Sequence, residues 1–239
     1  MIESLNNEKL KKWIKLKTKK YQEEFGLFLI EGDHLVEEAH KMKVLEEVIV
    51  LDGYTYDFDK VTIVSESVMK KITSLTTVPR IIGVAKFLDS SDIKGSVLLL
   101  DSIQDPGNMG TIIRSAVAFG IGTIIVGEGS VSVYNPKVIR SSEGMLFHVN
   151  IIRGNLKDYI ERLKKDNYTI FGTAVENGED VKNLHFVKKC AIIIGNEGAG
   201  ISPEIKKMCD KNLYIKMSDE CESLNAGVAA SIIMYELYK

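Results

Sequence analysis

Residues 192–202 read IIIGNEGAGIS, an unbroken β-branched run that empties into three glycines around Asn196 and Glu197. A strand with no polar alternation is buried on both faces, and strands of that kind belong to parallel sheets covered by helices. Gly195, Gly198 and Gly200 permit positive φ and let backbone amides approach a ligand, while Ser202 and Pro203 supply a cap and a first helical residue. Similar runs lie at residues 97–101, 123–126, 147–151, 168–173 and 213–216, mostly separated by helical stretches. The expected fold class is therefore α/β with a parallel sheet.

Working outward, residues 1–90 carry shorter strands at 27–30, 48–51, 61–64 and 81–87, with helices at 33–42 and 65–72. In the second helix Ser65 can cap a turn whose apolar face is Val68, Met69 and Ile72. This is the pattern of a separate small α/β domain. The polar, turn-rich segment DSSDIKG follows it, so the expected division is a domain at 1–90, a linker at 91–96 and a second domain at 97–239.

A chain of 239 residues with 45% hydrophobic content, 31 basic and 33 acidic side chains can build real cores, which excludes disordered, collagen-like and disulfide-stapled classes. Its longest apolar runs are strand-length, so no membrane span is expected. The start MIESLNNEKLKKW lacks an apolar signal region and points to the cytoplasm. Cys190, Cys209 and Cys221 fit neither a disulfide framework nor a zinc site, and His34, His40, His148 and His185 show no ligand clustering; no metal is expected. The net charge of −2 hides a local field, because residues 9–20 hold seven lysines and no acid. Leu10, Trp13, Ile14 and Lys17 share a helical face there, giving either a solvated first helix or a surface for nucleic-acid phosphates.

Two further loops follow expected strands, where parallel sheets collect ligands. Residues 105–116, DPGNMGTIIRSA, place a Pro106–Gly107 turn before a helix for which Asn108 is a candidate N-cap. Arg114 lies off the stripe of Ile112, Ala116 and Phe119, as a surface arginine or as a bidentate anchor for phosphate or carboxylate. Residues 214–232, YIKMSDECESLNAGVAASI, run from a strand through a polar loop into a helix rich in small residues, suited to close approach of another backbone or subunit.

Taken in chain order, residues 105–116, 192–202 and 214–232 resemble motifs one, two and three of the SpoU (TrmH-like) RNA 2′-O-ribose methyltransferases of the SPOUT class. NPKVIRSSEGMLFH at 135–148 is similar to the family's middle segment. FLIEG at 28–32 and TTVPRIIGVAKF at 76–87 resemble its N-terminal substrate-binding domain, a small α/β RNA-binding domain like a ribosomal-protein fold. The resemblance implies a deep trefoil knot in the catalytic domain, S-adenosylmethionine as cofactor, and a homodimer. It implies cofactor contacts from Gly195, Ile215 and Leu224, and a reaction site lined by Asn108, Arg114, Glu197, Ser223 and Asn225, with Arg114 coming from either subunit. Lys216 stands where the family usually has proline, Ala226-Gly227 where Val-Ser is common, Glu143 where a small or apolar residue is usual, and Gln22 near a common arginine. The activity this implies is methylation of a ribose 2′-hydroxyl in RNA, ribosomal RNA foremost. Transfer RNA as the substrate, or a noncatalytic RNA-binding or ribosome-assembly factor on the same fold, are the alternatives.

Overall fold

The computed structural model describes residues 1–174, 178–183 and 189–238. Two compact units emerge: Met1–Asp89 with Tyr134–Phe147, and Ser90–Val133 with the described residues from His148 onward.

The first unit begins with α1 (Glu8–Lys15) and α2 (Lys19–Phe25). It continues through β1 (Leu27–Glu31), α3 (Asp33–Lys41), β2 (Leu45–Leu51), β3 (Val61–Val64), α4 (Glu66–Ile72) and β4 (Ile81–Lys86). Its sheet has the order β1-β4-β2-β3, with β4 antiparallel to both neighbours and β2 parallel to β3. The lysine-rich segment is two helices rather than the one expected over residues 9–20. Thr18 takes an extended conformation (φ −115°, ψ 138°) and starts the second. The buried stripe is Leu10, Trp13 and Leu16, packed with Val68, Met69 and Ile72, while Ile14 is 37% exposed. Ser65 caps α4 as its sequence position suggested, its side chain accepting from the Val68 N–H.

In the second unit β5 (Val97–Leu100), α5 (Pro106–Ala118) and β6 (Thr123–Val126) come first. After Val133 the chain rejoins the first unit, where α6 (Pro136–Ser141) lies, and returns as β7 (Asn150–Arg153), α7 (Leu156–Lys165) and β8 (Thr169–Thr173). The short β9 (Glu179–Asp180), β10 (Cys190–Ile194), α8 (Pro203–Lys206), β11 (Lys211–Tyr214) and α9 (Ala226–Tyr238) complete it. Seven strands in the order β7-β6-β5-β10-β8-β11-β9 pair in parallel throughout. The apolar runs of β5, β6 and β10 are buried along their whole length, as two-sided coverage requires. On one side Leu99, Ile125 and Ile193 pack with Ile160 and Leu163 of α7 and with Ile205 of α8. Helices α5 and α9 also pack together: Ser115 and Ser231 hydroxyls lie 2.7 Å apart, and a Cβ on Gly227 would meet Thr111 at 3.2 Å.

Tyr134–Phe147, expected within a domain over 97–239, groups with the first unit. The Tyr134 ring stacks on Phe87 at 4.0 Å and lies 4.6 Å from Phe28, and its hydroxyl accepts from the Leu88 N–H. Arg140 donates to the Ser74 hydroxyl at 3.0 Å. These contacts tie the segment to the first unit. The strand expected at 147–151 is displaced for the same reason: Glu143 (φ 50°) and Gly144 (φ 79°) turn the chain sharply, Met145–His148 forms a 3-10 turn, and β7 starts only at Asn150. Residues 91–96, the expected linker, are bonded within the second unit. The Asn150 amide holds Ser91 from both sides, at 2.9 and 3.1 Å, and the Lys94 N–H donates to the Thr123 hydroxyl. Among the described residues no helix is long and apolar enough to cross a membrane.

Candidate active site

The site grows from the carboxyl ends of β5 and β10. At the end of β10, a Cβ on Gly195 would lie 2.3 Å from the Gly200 carbonyl carbon and the Ile201 nitrogen, so only glycine lets the chain fold back on itself here. Asn196 and Gly200 then exchange backbone hydrogen bonds at 3.0 and 2.9 Å, and Gly200 takes φ +69°. Gly195 and Gly198 do not adopt positive φ. Nor are the tip amides open to a ligand: Gly198 and Ala199 both donate to Asn196 Oδ1 at 3.0 Å. Of the three glycines expected to permit positive φ, Gly200 alone adopts it, and the Gly198 and Ala199 amides are used within the loop. The Asn196 Nδ2 donates to the Ser102 carbonyl at 2.8 Å, and the buried Asp101 accepts from the Ser202 N–H at 2.8 Å. These two links, which sequence reasoning missed, lock the β10 loop to the end of β5. The one signal for Asp101 was an acid closing the apolar run VLLLD.

Asn108 is not the N-cap of α5. Asp105 is, its Oδ1 accepting from the Asn108 N–H at 2.8 Å with Pro106 behind it in the first turn. The Asn108 side chain is thereby free to point out of the helix start, where its Nδ2 donates to Glu197 Oε1 at 3.0 Å and its Oδ1 accepts from Asn225 Nδ2 at 2.8 Å. Asn225 caps α9, its Oδ1 accepting from the Gly227 and Val228 N–H groups at 3.0 and 3.2 Å. Asn225, Asn108 and Glu197 thus form one chain of hydrogen bonds linking three loops. Glu197 also accepts from the N–H groups of Gln104 and Asp105 at 3.2 and 3.0 Å. Burial pushes its carboxyl up, but donation from Asn108 and from the backbone of Asp105, Glu197 and Gln104 outweighs this and holds it below the usual carboxylate range. At neutral pH it is an anion.

Beside this chain lies a cleft of about 540 Å³, within the usual size range for small-molecule sites. Gly195, Ile215 and Leu224 line it, as do Glu197 and Ser223. Met217 and Lys206 also line it and were not anticipated. Its walls are mostly backbone and aliphatic side chains, with Glu197 and Lys206 as the charged side chains. The structure therefore brings together seven of the eight site residues named from sequence: five on the cleft, Asn108 bonded to Glu197, and Asn225 bonded to Asn108. Arg114 stands apart. It is exposed on α5, does not line the cleft, and has no hydrogen bond or ion pair among the described residues. No three His, Cys, Asp or Glu side chains group as metal ligands among the described residues, and His185 lies outside them.

Comparison with known proteins gives this geometry a context. Residues 95–235 match the SpoU rRNA Methylase family, and residues 7–83 match an MRM3-like substrate binding domain. The chain is 38% identical to the 23S rRNA (guanosine(2553)-2′-O)-methyltransferase RlmP of Bacillus subtilis, over 99% of this chain and 98% of the relative. Among solved structures it is similar to an rRNA methyltransferase from Sinorhizobium meliloti, with TM-score 0.89, 26% identity and coverage of 99% and 96% of the two chains. The SpoU methyltransferase AviRb from Streptomyces viridochromogenes, solved in complex with AdoMet, shares the fold at TM-score 0.89 and 24% identity, with coverage of 98% and 97%. With a family match spanning most of its length and a relative alike from end to end, this chain belongs to the SpoU rRNA methylase family.

Proposed function

We propose that this protein transfers a methyl group from S-adenosylmethionine to a ribose 2′-hydroxyl of large-subunit ribosomal RNA. The observation that carries the reading is the meeting of a cleft lined by Gly195, Ile215 and Leu224 with the Asn225–Asn108–Glu197 chain. The lining suits the cofactor. Aliphatic side chains from Ile215, Leu224 and Met217 match a flat nucleoside, and an ionised carboxylate complements a cation. When bound, S-adenosylmethionine supplies a methyl group on an electrophilic sulfonium.

The residues of the chain contribute positioning and charge. Gly195, Ile215 and Leu224 hold the cofactor, chiefly through backbone and apolar contact. Glu197, an anion already accepting several donors, is unsuited to take the hydroxyl proton and instead fixes the 104–108 loop. Asn108, Asn225 and Ser223 present amide and hydroxyl groups around the ribose. Arg114 has a planar fork with no partner among the described residues, so its role is to anchor a phosphate and stabilise the developing alkoxide. Placement on a single ribose oxygen accounts for much of the rate, since alignment alone removes several kcal/mol from a bimolecular barrier.

The proposal includes a homodimer in which Arg114 reaches the partner's cleft, the trefoil knot of the SPOUT class and a cytoplasmic location. The test is incubation of unmodified 23S rRNA with the protein and methyl-labelled S-adenosylmethionine, followed by mapping of 2′-O-methyl positions. Label appearing at one ribose supports the reading. A folded protein that binds RNA but neither binds S-adenosylmethionine nor transfers label is a noncatalytic factor, and transfer to tRNA alone moves the substrate.

A further inference from the structure

The seven lysines of residues 9–20 do not form one diffuse basic face. Lys9 bonds the Glu47 carboxylate at 2.9 Å, and Lys11 pairs with Glu8 at 2.7 Å. Lys17 donates to the carbonyls of Lys71 and Thr73 at 2.9 and 3.0 Å, and Lys19 lies 3.8 Å from Glu23. The remaining three, Lys12, Lys15 and Lys20, are exposed and make no hydrogen bond or close ion pair among the described residues, although Glu8 attracts Lys15 at longer range. All three converge on one pair of rings. Tyr21 and Phe25, one turn apart on α2, lie nearly parallel at 14° with centroids 6.2 Å apart. Lys15 and Lys20 sit over Tyr21 at 5.1 and 5.5 Å, and Lys12 sits over Phe25 at 5.4 Å.

We infer that this face of α1 and α2 is a docking platform for an unpaired stretch of the RNA substrate, with bases on the Tyr21 and Phe25 rings and phosphates on Lys12, Lys15 and Lys20. The inference rests on the proposed RNA methyltransferase activity and names where the first unit would hold that RNA. A solvated helical lysine commonly pairs with an acid three or four residues away, as Lys11 and Lys19 do. Lys20 has Glu24 at that spacing, yet its ammonium lies over Tyr21. A ring face attracts a cation without neutralising it, so three lysines outside any close ion pair remain beside partly exposed aromatic faces. Single-stranded nucleic acid is the polymer that presents both anions and π-faces at close spacing, and stacked aromatics beside a basic surface are how proteins hold it. A paired helix keeps its base faces inside.

Fluorescence anisotropy tests this with a labelled single-stranded oligoribonucleotide and the corresponding duplex, across a salt series. In the full-length K12A/K15A/K20A variant, three lost phosphate contacts at roughly 0.7 each make the log–log salt slope shallower by about 2 and lower affinity roughly a hundredfold at about 0.1 M salt. Tyr21→Leu keeps the apolar bulk and removes the π-face. It lowers single-strand affinity at least about fivefold, leaves the slope unchanged and leaves duplex binding unchanged, as loss of one stacked base requires. An unchanged slope in the triple variant overturns the platform. Equal binding of duplex and single strand, or competition by polyglutamate with no effect of Tyr21→Leu, overturns stacking and leaves a general polyanion surface. With 23S rRNA as methyl acceptor, the triple variant raises KM and keeps kcat. A wild-type protein that transfers no methyl group counts against the enzymatic reading, whereas the anisotropy series still decides the platform.

Discussion

Replacing Glu197 by Gln tests the hydrogen-bonded chain at its charged end. One carboxylate oxygen accepts from the Asp105 N–H and Asn108 Nδ2, and the other from the Gln104 N–H and, at 3.4 Å, Asn196 Nδ2. Whichever way a glutamine turns, its NH2 faces two donors, so two hydrogen bonds are lost and two N–H groups are brought against a donor. Gln104 and Asp105 are exposed and can turn to water, which keeps the loss near the low end for hydrogen bonds, about 1 kcal/mol each and about 2 kcal/mol together. For a chain of this size that corresponds to roughly 4–8 °C in Tm. The pH dependence is the sharper assay. The folded-state pKa of Glu197 lies below its unfolded value of about 4.3, so its contribution is fully present above that value and is lost as pH falls through the folded pKa. Tm measured from pH 7 down to about 3 therefore shows a gap between wild type and Glu197→Gln that closes at the acid end. A gap that stays constant with pH, or none at pH 7, refutes the assignment of Glu197 as an anion held by those donors.

Three other outcomes follow from the same geometry. Arg114→Lys keeps the charge but not the planar fork, so methyl transfer falls to a small fraction of wild type while S-adenosylmethionine affinity by calorimetry stays nearly unchanged; near wild-type turnover removes the bidentate role. Gly195→Ala drives a Cβ into backbone at 2.3 Å, an overlap no rotamer relieves, and calorimetry should show cofactor binding abolished. Asn225→Asp retains the acceptor that caps α9 and loses the donor to Asn108, so helix content by circular dichroism is kept while kcat drops by at least tenfold.

The parallel sheet was legible because its central strands are unbroken apolar runs between turns; β6 and β10 fall on the apolar runs at 123–126 and 190–194, and β5 ends one residue before the run expected at 97–101. At the periphery the signal fades. β9 is two acidic residues paired with Leu213 and Tyr214, which no propensity marks as a strand. β11 begins at the polar Lys211 and Asn212 and ends at Tyr214, because its register is set by Phe171 to Thr173 of β8 rather than by its own pattern. The membership of Tyr134–Phe147 in the first unit depends on Phe28, Phe87 and Tyr134 meeting across more than a hundred residues of sequence, and local patterning carries no trace of that. The site shows the same division. Its residue types and loops were readable, but which amides remain free was not, since Asn196 turns inward and takes two of them.

Helix capping and site chemistry use the same atoms. The start of α9 presents N–H groups that need an acceptor, and Asn225 Oδ1 meets two of them. With its oxygen committed, Asn225 can face Asn108 only with its NH2, so Asn108 must answer with Oδ1 and turn its own NH2 toward residue 197. The backbone N–H groups of Gln104 and Asp105 point at the same place. A group met by donors from three directions has to be an acceptor on both oxygens, which a carboxylate is and a carboxamide or protonated acid is not. The need to cap α9 therefore propagates through two asparagines and fixes residue 197 as an ionised glutamate. Breaking the chain at Asn225 removes a constraint from the 104–108 loop that carries α5 and, one and a half turns further on, Arg114. Loss of turnover in Asn225→Asp with intact α9 would separate that coupling from simple loss of a cap.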